Sequence, residues 1–494
     1  MNAQTTRTPK PLAEQHAIVI GGSIAGLLAA RVLADYVDSV TVIDRDTFPA
    51  LPAHRSGVPQ SHHAHALLGR GQLILTQLFP GLLDDLRADG ALAVRDAVPI
   101  VIVSPAGMLP SQRMPDEFMA FSRFLLEWHV RRRLQARPEV RFLENQEVTG
   151  LLATDDRSQV VGVRVQRRGA EDAPEELRAD LVVDASGRFS KAPAWLEALG
   201  YAAPPEEVIT SGLGYASRFY QKPDNFPGEW QGIIVNGRPP HNPRAGLILP
   251  IENGGWHVTM GGFANNPPPT DEDGFLQWAR DLADPSIYEA IRVATPLSPI
   301  RGYRTPENRL RHFERMPRRP GGFLVTGDAV CAFNPIYGQG MTVSAMDALV
   351  LDTCLAQERG SFSADFARRF QEALAKSVAD PWLVSTGEDL RWPGIRLNGA
   401  RPRPGTGLLH RYMDLVLRQA TEDPVVTGAY LAVISMFAPP QSLAHPRILL
   451  RVLGGALRRA SRGSLNADRP ARFALSPEAI TQLRARIEAD YANS

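Results

Sequence analysis

The run Ala17-Ile18-Val19-Ile20-Gly21-Gly22-Ser23-Ile24-Ala25-Gly26, followed by Val40-Thr41-Val42-Ile43-Asp44, leaves this chain few folds to choose from. Four consecutive apolar residues read as a buried strand, Gly21 and Gly22 as a tight turn, and Ser23 to Gly26 as the start of a helix. Gly21 permits the sharp turn, and Gly26 lets the helix sit close to the sheet. A helix N-terminus placed there offers free N–H groups and a positive dipole end to a pyrophosphate. Asp44 comes 18 residues after Gly26 and ends the second strand, where an acid binds a ribose 2′-hydroxyl and repels a 2′-phosphate. The unit therefore predicts an ADP group, as in FAD or NAD rather than NADP, gripped by Gly21, Gly22, Ser23, Ala25, Gly26 and Asp44, with Arg45 beside them. Ser23 stands where the usual pattern has its second glycine. Its Cβ is small, and its hydroxyl is expected to donate to a phosphate.

With 494 residues, 44% of them hydrophobic, the chain can bury a sizeable core and divides into two or three domains. The 54 basic and 53 acidic residues leave a net charge of +1, so no global field draws nucleic acid or acidic partners. Two cysteines, Cys331 and Cys354, fit a reducing cytoplasm better than a disulfide scaffold. Residues 1–15 are polar and carry Pro9 and Pro11, without the apolar run of a signal peptide, and no window reaches the length of a membrane span. A cytoplasmic protein is expected.

Beyond the first unit, 49–65 is irregular and rich in Pro, Gly and His, as a loop over a ligand would be, and a helical pattern resumes over 67–78. Strands are expected at 98–103, 140–143, 160–165 and 181–183, with a helix over 124–134. From 211 to 263 strand-like segments dominate (213–220, 232–235, 245–250, 256–260), predicting a largely antiparallel second sheet. Phe323-Leu324-Val325 reads as another buried strand, and 327–355 as a glycine-rich loop opening a long helix. Past 362 the chain reads as mostly helical, with proline-rich links at 393–405 and 438–446.

A second signal lies in Gly327-Asp328-Ala329, followed by Asn334-Pro335-Ile336-Tyr337-Gly338-Gln339-Gly340-Met341. A G-D-A run with P-x-x-G-x-G-M at a helix start resembles the flavin monooxygenases of the aromatic hydroxylase and squalene epoxidase superfamily. The resemblance covers about residues 15–390. It implies that Asp328 holds the ribityl chain of FAD and that Pro335 to Met341 lies along the isoalloxazine ring. A helix N-terminus aimed at that ring favours the negative charge of reduced flavin. The resemblance also implies roles at the cofactor for Arg55, Gln60 and Val148, and for Arg123, which leads a helix onto the phosphates or ribityl chain. Val183-Asp184-Ala185-Ser186-Gly187-Arg188 occupies the place of the family's A-D-G-x-x-S motif, which touches both FAD and NADPH. With Ser186 in place of its aspartate, the segment looks more like the flavin epoxidases acting on polyene intermediates of polyether ionophores.

Together these features predict an α/β protein: a split Rossmann-type FAD-binding domain (1–80, 116–200 and 301–360), an inserted sheet-rich α+β substrate domain (81–115 and 201–300), and a helical C-terminal region (361–494). The resemblance implies an FAD-dependent monooxygenase that forms a flavin C4a-hydroperoxide with O₂ and transfers one oxygen to a large apolar substrate, by alkene epoxidation. Pro335, Gly338 and Gly340 are the candidates for shaping the oxygen-transfer site, and no side-chain base is assigned. Hydroxylation of an aromatic or polyketide ring, a flavin reductase or dehydrogenase acting on a prenyl-like chain, and a non-catalytic dinucleotide-binding protein are the alternatives. No second strand-bound G-x-G-x-x-G appears, so electrons come from NAD(P)H bound transiently in a shared cleft or from an external reductase. The absence of a W-x-W-x-I-P stretch argues against halogenation.

His62, His63 and His65 lack a neighbouring acid or cysteine to complete a ligand set, so no metal site is expected. Their expected use is structural hydrogen bonding, with His65 or Gln60 bordering the flavin. The alternation of Arg447, Arg451, Arg458, Arg459 and Arg462 with leucine, isoleucine and valine fits a basic amphipathic helix. Such a helix either caps its own domain, lies on a membrane surface or docks on a partner.

Overall fold

A computed structural model describes residues 12–461 apart from 95–99, 111–117, 171–172, 225, 227, 229, 359–360 and 403. At its centre, five parallel strands run in the order Phe323–Val325, Leu181–Asp184, Leu12–Ile20, Val37–Ile43, Val140–Leu143. Ala17, Ile18, Val19, Val182 and Leu324 are fully buried, as parallel strands covered on both faces require. Helix Ile24–Leu33 follows the first strand and packs against helix Gly340–Gln357, which in turn packs against Ala364–Asp389. A three-stranded antiparallel sheet, 146–178, adds Val148, Val160 and Val163 to the same core.

The second sheet has ten strands built around Glu206–Gln221, Gly255–Gly262, Arg244–Pro250 and Arg301–Arg311. It is antiparallel except where Gly232–Val235 lies beside Ile100–Ser104. The mixed fold expected from the sequence is therefore the one observed. Among the described residues, no helix is long and apolar enough to cross a membrane.

Several local expectations change. The strand expected at 213–220 begins at Glu206, because Glu206 pairs across the ladder with Arg309 at 2.5 Å and Arg311 at 2.8 Å. Cross-strand charge pairs add to a stretch whose Val208, Ile209 and Thr210 already favour a strand. Inside the proline-rich link, Arg396–Asn398 adds an edge strand to residues 208–210. The 327–355 segment holds two 3₁₀ turns, Gly327–Ala329 and Pro335–Tyr337, before its helix starts at Gly340. Leu82 and Leu86, and beyond 361 Phe366, Phe370 and Leu374, belong to the core of the parallel sheet.

Three further helices, Thr406–Ala420, Pro424–Ile434 and Pro446–Ser461, close over a separate cluster containing Leu109, Val416, Val426, Ile448 and Val452. The basic helix thus buries one face on its own neighbours. Arg451 and Arg459 pair with Asp423 and Glu422, while Leu450 and Leu457 stay exposed. The segment 462–494, with Arg462, lies outside the described residues.

Candidate functional site

The first strand ends at a turn in which Gly21 takes φ +102°, a conformation that side-chain-bearing residues rarely adopt. A Cβ there would also lie 2.6 Å from the carbonyl oxygen of Ala185, on the neighbouring strand's exit. A Cβ on Gly26 would fall 1.8 Å from the carbonyl oxygen of Gly21, so the helix crosses the turn at a distance only glycine allows. Ile24 and Ala25, whose first-turn N–H groups no helical carbonyl can accept, line a cavity of about 340 Å³.

That cavity gathers most of the residues singled out in the sequence. Gly21, Ser23, Ala25, Asp44, Arg45, Arg55, Gln60, Arg123, Val148, Asp328, Pro335, Gly338, Gly340 and Met341 all line it. Gly22 and Gly26 do not. Gly22 is packed under Phe48 and donates its N–H to Asp44 Oδ2 at 2.7 Å, whereas Gly26 serves the helix–turn contact. Each supports the site from behind the wall.

The end of the cavity near Asp44 is built from ion pairs. Arg55 reaches Glu127 at 2.7 Å, Asp46 at 2.9 Å and Asp44 at 3.2 Å. Burial opposes the charge of Arg55, but Glu127 and Asp44 outweigh it and hold the guanidinium more firmly protonated than usual. Glu127 is likewise desolvated, yet Arg55 and Arg123 keep its carboxyl below the usual range. Arg123 opens helix Arg123–Gln135 behind the Ser122 cap. Its Nη2 donates to Ser23 Oγ at 2.8 Å, and Ser23 Oγ donates to Glu127 at 3.0 Å. The hydroxyl expected to meet a phosphate therefore spends its proton on Glu127, a residue 104 positions away that local sequence cannot pair with it. Among the described residues, Arg55 Nη2 and Arg123 Nε have no hydrogen-bond partner.

Near the middle, burial raises the carboxyl pKa of Asp328, with Arg188 and Arg123 opposing the shift. No protein donor holds the Asp328 carboxylate among the described residues, which leaves it available to hydroxyl groups of a ligand. Burial, with Arg123 second, keeps the imidazole of His65 neutral on the same wall. The far end is formed by Phe333, Pro335, Gly338 and Tyr303.

Several lining residues had no site role from the sequence. Gln146, Glu147, Lys191, Trp195, Tyr303, Phe333 and Ser344 arrive from scattered elements and carry no local signature. Ser186 and Arg188 lie within a recognised motif but without an assigned contact; Arg188 donates to the carbonyls of Glu307 at 2.7 Å and Phe333 at 2.9 Å, tying the motif at the end of the parallel sheet to the second sheet. Asp184, at its start, accepts from Ser186 N and from Ser190 Oγ and so shapes the turn. Of the histidines, His63 bonds Ser217 Oγ at 2.8 Å and His65 bonds the His63 carbonyl. Among the described residues no group of three or more His, Cys, Asp or Glu is arranged to hold a metal ion.

The residues fit FAD. An elongated dinucleotide needs a helix N-terminus for its pyrophosphate, acids for its ribose and ribityl hydroxyls, and a flat wall for its ring, and one cavity offers all of these. The chain matches the FAD binding domain family over residues 14–361. It is 33% identical over 463 residues to Protein Rv3254 of Mycobacterium tuberculosis, covering 90% of this chain and 94% of that protein. Kynurenine 3-monooxygenase of Salinispora tropica is 25% identical over 485 residues, 88% of this chain and 97% of the relative. A flavoprotein/dehydrogenase structure from Cytophaga hutchinsonii superposes with a TM-score of 0.61 at 15% identity over 90% of this chain and all of that one, a likeness of fold.

Proposed function

This chain belongs to the FAD binding domain family and is an FAD-dependent oxidoreductase of the monooxygenase class; on that premise we propose that it places one oxygen atom of O₂ on a large apolar substrate, by epoxidation of an alkene. The observation that carries the cofactor part of the proposal is that Asp44 and Asp328, far apart in sequence, stand on the wall of one cavity, while epoxidation rests on the resemblance of residues 183–188 to the flavin epoxidases. In this reading the first turn of helix Ile24–Leu33 takes the pyrophosphate, Asp44 the ribose, and Asp328 the ribityl chain. Arg45, Arg55, Arg123 and Val148 border the adenosine end, Gln60 flanks the middle, and Pro335, Gly338, Gly340 and Met341 meet the ring. Bound and reduced, FAD supplies the oxygen-activating chemistry.

The protein's own part is to orient the substrate and exclude water. Support for an apolar substrate comes from Tyr303, Phe333, Pro335 and Met341 on the cavity wall, with Tyr303 backed by the buried cluster Leu213, Tyr215, Ala245, Phe263 and Trp392. Epoxidation needs no side-chain base, and none is assigned. NAD(P)H or an external reductase provides the electrons.

Ring hydroxylation is the second reading. It is favoured by the name of the 25% identical relative and by the polar chain His63–Ser217–Thr259, whose two hydroxyls lie 2.6 Å apart close to that apolar cluster. The test is oxidation of NADPH in the presence of polyene and aromatic substrates, with product mass analysis. Gain of one oxygen with loss of a double bond supports epoxidation, gain of one oxygen with unsaturation retained supports hydroxylation, and absence of oxygen transfer to any substrate overturns both.

A further inference from the structure

Behind the ring end of the cavity lies a carboxylate that no sequence motif marked. Asp389 ends helix Ala364–Asp389 and is fully buried. Among the described residues no arginine or lysine pairs with it. Its partners are neutral: Asn308 Nδ2 donates at 2.6 Å, Tyr337 OH at 2.8 Å, and Asn334 Nδ2 at 3.0 Å. A desolvated carboxylate without a cation is an unfavourable element, tolerable only when its donors are fixed in place.

Two of those donors belong to the Pro335–Tyr337 turn, Asn334 as its cap and Tyr337 as its last residue. Asn334 uses both ends of its amide: Oδ1 accepts from Tyr215 OH at 3.0 Å and from Ile336 N at 3.3 Å, while Nδ2 points to Asp389. Its backbone N–H donates to Asn308 Oδ1 at 2.6 Å, and Ser385 donates to the same oxygen at 3.0 Å. The turn is a single 3₁₀ turn opened by proline and closed by Gly338 at φ +65°, so it has few backbone hydrogen bonds of its own. Its shape is set instead by side chains that converge on one carboxylate.

We infer that Asp389 is a positioning residue, which locks Asn334 and Tyr337 and thereby holds the 334–338 turn in the form that the isoalloxazine ring of FAD meets. The inference rests on the proposal that the ring lies along Pro335 to Met341. Replacing one carboxylate oxygen by an amide NH₂ turns that group toward the donors of Asn308 or Asn334, so Asp389→Asn opposes donor to donor while changing little volume. Tyr337→Phe removes one donor and leaves the carboxylate in place.

The test compares wild type, Asp389→Asn, Tyr337→Phe and the double variant, each reconstituted with FAD. The readouts are the visible absorption and circular dichroism of the bound flavin, the FAD dissociation constant, and thermal unfolding. Asp389→Asn is expected to shift the flavin bands and weaken FAD binding about tenfold, which corresponds to about 1.4 kcal/mol. Tyr337→Phe shifts the same bands less, and the double variant is no worse than Asp389→Asn alone, because both changes release the same turn. A purely structural role would lower the unfolding temperature and leave the flavin spectrum unchanged, and that result overturns the inference. Should Asp389→Asn not fold, Tyr337→Phe decides: an unshifted spectrum overturns the inference and a shifted one sustains it. Failure of the wild type itself to bind FAD overturns instead the proposal on which the inference rests.

Discussion

The two ends of the cavity are built from opposite materials. At the Asp44 end, Arg55 and Arg123 are set among Asp44, Asp46 and Glu127, and buried charges compensate one another at short range. At the Pro335 end, the carboxylate of Asp389 is held by two amides and a phenol, and the imidazole of His63, 5.3 Å from the ring of the cavity-lining Tyr303, is kept neutral by burial. The first arrangement is an electrostatic clamp suited to a ligand of constant charge. The second fixes orientation with neutral hydrogen bonds, which suits a wall where the ligand's own charge changes during reaction. Removing a contact at the clamp end should therefore cost affinity, whereas disturbing the neutral end should change geometry and pH response.

The largest effect is expected where the clamp depends on shape alone. Gly26→Ala puts a methyl group on the Gly21 carbonyl oxygen, a backbone atom with no room to yield. A loss of about 3 kcal/mol or more is expected, together with loss of FAD, measured by denaturant unfolding and by flavin content after purification. A Gly26→Ala protein with wild-type stability would show that the turn relaxes and that the clamp is not rigid. Next comes Asp328→Ala, between the two ends. Hydrogen bonds to an ionised partner contribute about 1.5–3 kcal/mol, so FAD should bind roughly ten- to a hundredfold more weakly. Full flavin occupancy in that variant would remove Asp328 from the site.

The contrast between the ends also explains how far each is legible in the sequence. The Asp44 end is legible because strand, turn, helix and acid are contiguous, and glycine, apolar runs and acids each have one strong local meaning. Asp328 and Pro335–Met341 are legible as a motif. Asp389 is not, because nothing in Glu388-Asp389-Leu390 separates a buried carboxylate from an exposed acid at a helix end; only the packing of Asn308 and Asn334 around it does so. Glu127 is hidden for the same reason, on a helix that reads as carrying a basic face. Phe366, Phe370 and Leu374 read as part of a separate helical region, since helical periodicity reveals an apolar face without telling which core it covers.

Acidification should test the buried neutral groups across the molecule. Burial, with neighbouring imidazoles second, pushes His63 and His54 down to about 4 and His257 to about 3. Their folded pKa values lie below the unfolded value near 6.5, so the unfolded chain takes up protons first as pH falls, and stability present above 6.5 is lost down to about 4. At pH 5 a buried histidine of this kind costs roughly 2 kcal/mol. Asp347 behaves in the opposite sense: burial lifts its carboxyl to about 7, so stability is full at acid pH and declines as pH rises toward 7. Between pH 7 and 5, His63→Gln should therefore lose less stability than wild type, and Asp347→Asn should lose more. Parallel unfolding curves for all three proteins across that range would mean that neither group is shielded from water in the folded protein.

The smallest effect separates buried from exposed charge within the clamp itself. Arg45 and Arg55 both line the cavity, yet Arg45 is exposed whereas Arg55 is 6% exposed and tied to three carboxylates. An exposed cation beside a phosphate or ribose acts through water, is screened, and contributes at most about 1 kcal/mol. Arg45→Ala should weaken FAD binding a few-fold in low salt, and in 1 M salt, where screening reaches about 3 Å, the difference from wild type should vanish. Arg55 cannot be tested in the same way, because its removal strands Asp44, Asp46 and Glu127 as buried charges and unfolds the clamp rather than weakening it. If the Arg45 effect persists in high salt, that arginine closes onto the ligand when FAD binds, and the clamp includes a part that moves.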